Sequence, residues 1–288
     1  EGEALYQKAK ASDEAGKRSK AIDQYEKVAD NYPFAPSAGI ARFRQAELLE
    51  EEGEVLESFD AYQQFLQKYR GSGLYSKALA KQAQMAQSAA NGKVKEGFTG
   101  LSVIGLKRKV SVHQTVDMLG KVRDNAPRSE TSARAQFTIG ELYQADFQSS
   151  KKFSKEDRDG SKAIAAYRKL VRDQPESKPA AEALFRVGVV LMEQADRGNR
   201  NQATLDLADE AFRDYLIQYP GHAKNPEARR LMASLKSKDL ARSLEIAEFY
   251  DSAGQTESAK IYYGAVLKNS ASGTAHDKAK ARLKELGE

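Results

Sequence analysis

Small and apolar residues recur along this chain at helical spacing, and the recurrence itself repeats. Ala21 is followed four positions later by Tyr25 and then by Tyr32-Pro33; Ser58, Tyr62 and Tyr69-Arg70 repeat the arrangement 37 residues on. It returns as Ala163, Tyr167 and Pro175, and again as Ala208, Phe212 and Tyr219-Pro220. Weaker copies are Thr115, Leu119 and Ala126-Pro127, and Ala259 with Tyr263, where the proline is lost. Residues four apart share one helix face, so the small member lets a neighbouring helix come close and the ring fills the space beyond it. Proline then ends the helix and sets the entry of the next. All seven prolines, at 33, 36, 127, 175, 179, 220 and 226, fall at such junctions, none inside an expected helix.

Upstream of each marked helix lies a partner with its own small residue, as in Phe43 to Ala46, Phe137 to Gly140 and Phe185 to Gly188. Leu49, Tyr143 and Leu191 follow that residue by three. Each unit is therefore two antiparallel helices that cannot bury their apolar faces alone, and stacking such units makes a solenoid. The pattern is similar to tetratricopeptide repeats, with a period longer than the usual one. Six pairs are expected, near 3–33, 37–70, 74–127, 129–175, 179–220 and 226–272. A last helix, Thr274 to Leu286, carries the narrow stripe Ala279, Leu283 and Leu286 that a cap needs. The fold class expected is all-α: one α-solenoid array over 1–288, with early repeats in 1–92, middle repeats with insertions in 93–175, and late repeats and cap in 176–288.

Three stretches interrupt the period. Gly97 to Leu106 is apolar, β-branched and punctuated by glycine, and reads as a short extended segment or a loop packed on the solenoid. Gln148 to Gly160 and Asp196 to Gln202 are polar and read as exposed loops.

Charge changes the picture only slightly. Residues 1–92 hold 12 basic and 14 acidic residues; the remainder holds 34 and 27, so a net +5 resolves into a mildly acidic start and a basic remainder. No long single-sign run accompanies it, and nucleic acid is not an expected partner. The chain has no cysteine, which excludes disulfides, thiolate zinc sites and a cysteine nucleophile within it. The longest apolar run, Val187 to Met192, is far too short to span a bilayer. The start Glu-Gly-Glu, without Met or an apolar leader, leads us to expect that a leader has been removed.

Nothing in the sequence assembles catalytic chemistry. His113, His222 and His276 are too far apart for a helical metal pair. Ser149 and Lys152 satisfy S-x-x-K but lack its companion motifs. The acidic run Glu50-Glu51-Glu52, with Glu47, Glu54 and Glu57, lacks the alternation and central glycine of a calcium loop. No enzyme, metal or cofactor is expected. What remains is protein binding. In tetratricopeptide arrays the first helix of each pair lines the concave surface. Tyr6, Phe43, Phe137 and Phe185 each stand three residues before a small residue there, flanked early by Lys10, Glu47 and Glu50. Two readings follow: an aromatic ladder for an extended peptide, or filling of the interface between helix pairs.

Two runs point to one family. Asn31-Tyr32-Pro33-Phe34-Ala35-Pro36 joins the first two pairs, followed by Phe65-Leu66-Gln67-Lys68-Tyr69. Ala228 to Lys236 leads through Leu240-Ala241-Arg242 into Ala247-Glu248-Phe249-Tyr250-Asp251-Ser252-Ala253-Gly254. In this order they resemble the BamD family, tetratricopeptide lipoproteins of the outer-membrane protein assembly machine, over roughly 1–70 and 176–288. The middle departs, with the glycine-rich insertion and one pair more than the family's five. The resemblance implies a periplasmic, outer-membrane-associated scaffold that contacts the barrel-insertase subunit through late repeats and unfolded barrel substrates through its early groove. It also implies a lipid anchor on a cysteine upstream of the chain. The alternative is a tetratricopeptide adaptor for another cell-envelope or cytoplasmic complex.

Overall fold

The computed structural model describes residues 1–93, 95–97, 107–149, 160–197 and 202–287. Among these, six helix pairs follow one another. They are α1 (Gly2–Glu14) with α2 (Arg18–Asn31), α3 (Ala38–Glu52) with α4 (Val55–Lys68), and α5 (Tyr75–Ala90) with α6 (Val112–Asn125). Next come α7 (Glu130–Ser149) with α8 (Ser161–Asp173), α9 (Ala180–Asp196) with α10 (Gln202–Gln218), and α11 (Asn225–Ser252) with α12 (Thr256–Asn269). Helix α13 (Thr274–Glu285) closes the order. The expected all-α solenoid class, six pairs and a closing helix, is the fold found.

The prolines fall at the pair junctions with one refinement: Pro226 lies in the first turn of α11, where a missing N–H costs no intrahelical bond. Between α5 and α6 the chain forms a small antiparallel ribbon of β1 (Lys95–Gly97) and β2 (Lys107–Lys109), Lys95 standing opposite Lys109. Of the stretch Gly97 to Leu106, expected to be an extended segment or a loop, only Gly97 is among the described residues, at the end of β1; residues 98–106 lie outside them. So do most of the two polar loops, although Gln148 and Ser149 extend α7 and Gln202 opens α10.

Two compact units divide the chain, Glu1–Ala183 and Leu184–Glu288. In the first, each of α1 to α8 packs on its neighbours in sequence. The marked residues of the second helices do what their spacing requires: Ala21, Ser58, Thr115 and Ala163 are buried, as are Tyr25, Tyr62, Leu119 and Tyr167. In the second unit Ala208 and Phe212, and Ala259 and Tyr263, repeat the arrangement. Small residues on the first helices make this packing possible. A Cβ on Gly140 would lie 2.4 Å from the Tyr167 ring, and one on Gly188 would lie 2.6 Å from the Phe212 ring. The turn after α3 is made by Gly53 at φ 81°, a left-handed conformation that glycine adopts without a Cβ clash. At the end, Ala279 and Leu283 of α13 are buried against a cluster built on Ala247, Tyr263 and Val266, so α13 covers the last pair.

Candidate protein-binding surface

The aromatic residues expected to form a ladder lie mostly inside the protein. Phe43 is 4% exposed and meets the Tyr62 and Phe65 rings edge-on, both with centroids 5.5 Å away. Phe137 packs on Tyr167 at 5.6 Å, and Phe185 on Phe212 and Tyr215 at 5.7 and 5.6 Å. Lys77 and Lys224 cover the Phe43 and Phe185 rings, with Nζ 5.0 and 4.8 Å from the centroids. Tyr6 alone stays half-buried, beside Tyr25 at 5.9 Å. These rings therefore present no exposed ladder. Each one points at the second helix of its own pair, because a first helix is packed on more than one side. In α3, Ala38, Ala41, Arg42, Phe43, Gln45, Ala46 and Leu48 are all buried, leaving no broad free face.

The charged residues expected to flank the ladder are held in place by neighbours. Lys10 lies within 3.8 Å of Glu14 on the exposed face of α1. Glu47 takes Arg44 at 3.2 Å and Lys77 at 2.9 Å. Glu50 takes Lys81 at 3.0 Å and accepts a hydrogen bond from the Tyr62 hydroxyl.

The last arrangement belongs to a recurring device that the hydrophobic pattern does not reveal. The Tyr25 hydroxyl donates to Asp13 at 3.3 Å, and Arg44 of the next pair donates to the same carboxylate at 2.8 Å. Tyr62 bonds Glu50 at 3.4 Å while Lys81 pairs with it. Tyr263 bonds Asp251 at 3.2 Å, and Arg282 of α13 bonds it at 2.5 Å. In all three the tyrosine follows the acid by 12 residues and the base follows it by 31. The acid stands at the end of a first helix, the tyrosine on the second helix, and the base on the helix that follows. Each clamp thus ties one pair to the next element.

Electrostatics follow the geometry. Hydrogen bonds from Arg44 and Arg282 hold the Asp13 and Asp251 carboxyls below the ordinary aspartate value of 3.8. Burial pushes the Tyr25 and Tyr62 phenols up, and the Tyr263 phenol up to about 12. Where the acid's place is taken by Gln144, Tyr167 still bonds it at 2.9 Å. Where it is Met192, the tyrosine is replaced by Phe212, so neither polar group is left alone. These are structural pairs, and among the described residues no cluster of histidine, aspartate and glutamate is placed to hold a metal ion.

What the molecule offers a partner is apolar surface outside the packed pairs. Phe34, at the first junction, is 99% exposed. In the second unit Phe249 on α11 and Ile261 on α12 are 67% and 70% exposed. Phe249 rests edge-on against Tyr250, which stacks on Tyr262 at 5.5 Å. An exposed ring held by a stacked pair beneath it is an ordered apolar contact point. No helix among the described residues is long and apolar enough to cross a membrane.

Comparison with known proteins agrees with this geometry. A family model described as outer membrane lipoprotein, YfiO, matches residues 110–286, from the start of α6 to the end of α13. The chain belongs to this family. A tetratricopeptide repeat model matches residues 6–73, the first two pairs. The outer membrane lipoprotein family and the repeat together make the chain a protein-interaction scaffold built of tetratricopeptide pairs. Solved structures similar to it include the MamA RS-1 ArsTM double mutant, 14% identical with a TM-score of 0.32, over 75% of this chain and 93% of that one. Another is a tetratricopeptide repeat protein from Parabacteroides merdae, 12% identical with a TM-score of 0.29, over 100% and 99% of the two chains. The P58(IPK) TPR domain is 16% identical with a TM-score of 0.28, over 99% of this chain and 77% of that one. These likenesses are too distant to bear on function. No curated protein matches the chain.

Proposed function

We propose that this chain is a non-catalytic scaffold of the periplasm, associated with the outer membrane, which assists the assembly of β-barrel proteins. Its partners are the barrel-insertase subunit, unfolded barrel segments, or both. Membership of the outer membrane lipoprotein family over α6 to α13 is the observation that carries this reading. The exposed Phe249 and Ile261, on the last pair of that matched region, supply a partner-facing apolar surface there. Exposed aromatic residues of this kind are the usual anchors of protein interfaces. On this reading the array over 1–288 works as one scaffold, anchored through a lipid attached upstream.

Depletion of the chain in its own cells is the test. The reading requires that folded barrel proteins fall in the outer membrane while the chain fractionates with that membrane. Unchanged barrel levels, or a chain found in the cytoplasm, would overturn it. One observation favours the second reading, an adaptor with another client. The early pairs match only the general repeat model over 6–73, and the lipoprotein family match begins at residue 110.

A further inference from the structure

The first unit carries a further surface with its own chemistry. An open cleft of about 530 Å³ runs between α6 and α8 over a floor made by α7. Ile139 and Tyr143 of α7 form that floor, with Val116 of α6 and Ala165 of α8 at its edges. Towards the junction the cleft continues into a second hollow that shares Arg123, Asp124, Gln136 and Lys169 with it.

The charge of this lining is one-sided. The lining sets Lys121, Arg123, Arg128, Lys162, Lys169 and Arg172 against three carboxylates, Asp117, Asp124 and Asp173, with Lys121 also reaching Asp60 of α4 outside the cleft at 3.3 Å. All three carboxylates are already engaged. Asp117 takes Lys121 at 3.1 Å, Asp124 takes Arg123 at 2.8 Å, and Asp173 takes Lys169 at 2.7 Å and Arg172 at 2.9 Å. Hydrogen bonds from Lys169 and Arg172 hold Asp173 below its ordinary value, so it stays an anion at neutral pH and draws no proton from the cleft. Lys162 pairs with no carboxylate among the described residues; its ammonium lies 6.0 Å from the centre of the Tyr143 ring, over the cleft floor. Arg128 stands at the far end, the one described residue other than glycine with positive φ, at 58°.

We propose that this cleft binds an extended acidic peptide segment carrying an apolar side chain between its carboxylates. Apolar floor and cationic walls complement such a segment in both respects. Lys162 and Lys169 lie two turns apart on α8, about 10.5 Å along its axis; residues four apart on one face of an extended chain stand about 13 Å apart, a difference the long lysine side chains take up. The segment's carboxylates therefore stand four positions apart on one face, with the residue midway between them on that same face resting on Tyr143 and Ile139. The inference rests on the chain being a protein-binding scaffold, and does not depend on which client the late repeats hold.

A fluorescent synthetic peptide with two aspartates four positions apart and a phenylalanine midway between them tests it, by anisotropy against the full chain. Binding is expected to saturate and to weaken as salt is raised, because contacts between exposed charges are screened. Lys162→Glu, a change at an exposed residue with no ion pair to lose among the described residues, is expected to weaken it at least about tenfold. The same peptide with asparagines in place of the aspartates is expected to bind no better than that variant binds the acidic peptide. Absence of binding, equal binding of the asparagine peptide, or indifference to Lys162→Glu overturns the proposal. So does displacement of the peptide by phosphatidylglycerol vesicles that bind through Lys162, which would make the surface a membrane face. Failure here leaves the barrel-assembly reading standing, since depletion of the chain tests that separately.

Discussion

Two kinds of residue decide the packing, and they answer to opposite substitutions. A ring such as Phe43 fills space between the helices of its pair. Phe43→Ser should cost about 3–5 kcal/mol, as large-to-small core changes do, and lower Tm accordingly. A Phe43→Ser protein with unchanged melting would show that the ring is not core. Glycine at 188 keeps space empty. Gly188→Ala would gain up to about 1 kcal/mol of helix propensity, but its Cβ would lie 2.6 Å from the Phe212 ring. That ring is buried and backed by Phe185, so it has nowhere to go, and overpacking of this kind costs about 1–3 kcal/mol. The net effect should be a lower Tm. Gly264→Ala is the control: it sits in α12 with nothing within 4 Å of its Cβ, so only the propensity gain remains and Tm should not fall.

The helix pairs were legible in the sequence because three signals coincide: small residues, rings four positions on, and prolines at the junctions. Each signal has a local cause, so each survives reading one helix at a time. The placement of the first-helix rings was not legible in that way. A helix packed on several sides has no single apolar stripe, and α3 buries Arg42 and Gln45 beside Phe43, so spacing cannot say which side meets solvent. The clamps escaped for a different reason. Asp13, Glu50 and Asp251 look like surface acids, and their partners lie 12 and 31 residues away. The constant spacing was nonetheless present to be found. It predicts a pH dependence. Asp13 and Asp251 are held below their ordinary value, so their contribution is present above about pH 4 and is lost as pH falls through the lowered values. The variant Asp13→Asn/Asp251→Asn should melt below the native protein at pH 7. Near pH 2 the two melting temperatures should converge; a constant gap across that range would show that the carboxylates do not titrate against folding.

For the whole molecule, two surfaces of different chemistry follow from one repeated unit. Pairs three and four open a cationic cleft between α6 and α8, and the last pair exposes Phe249 and Ile261. Neither was visible in the spacing of small and aromatic residues, because that pattern describes what the pairs bury. Phe34 at the first junction was quoted in the sequence only as part of a family run, and its full exposure emerges only with the fold. The barrel-assembly reading turns on the late surface and is met head-on by isothermal titration of the full chain with the periplasmic part of the barrel-insertase subunit. Saturable binding is expected, with the Phe249→Ser/Ile261→Ser variant at least about tenfold weaker and its Tm within about a degree or two of native, since both side chains are exposed. No binding by the native chain, or equal binding by that variant, would mean that the late pair does not hold the insertase.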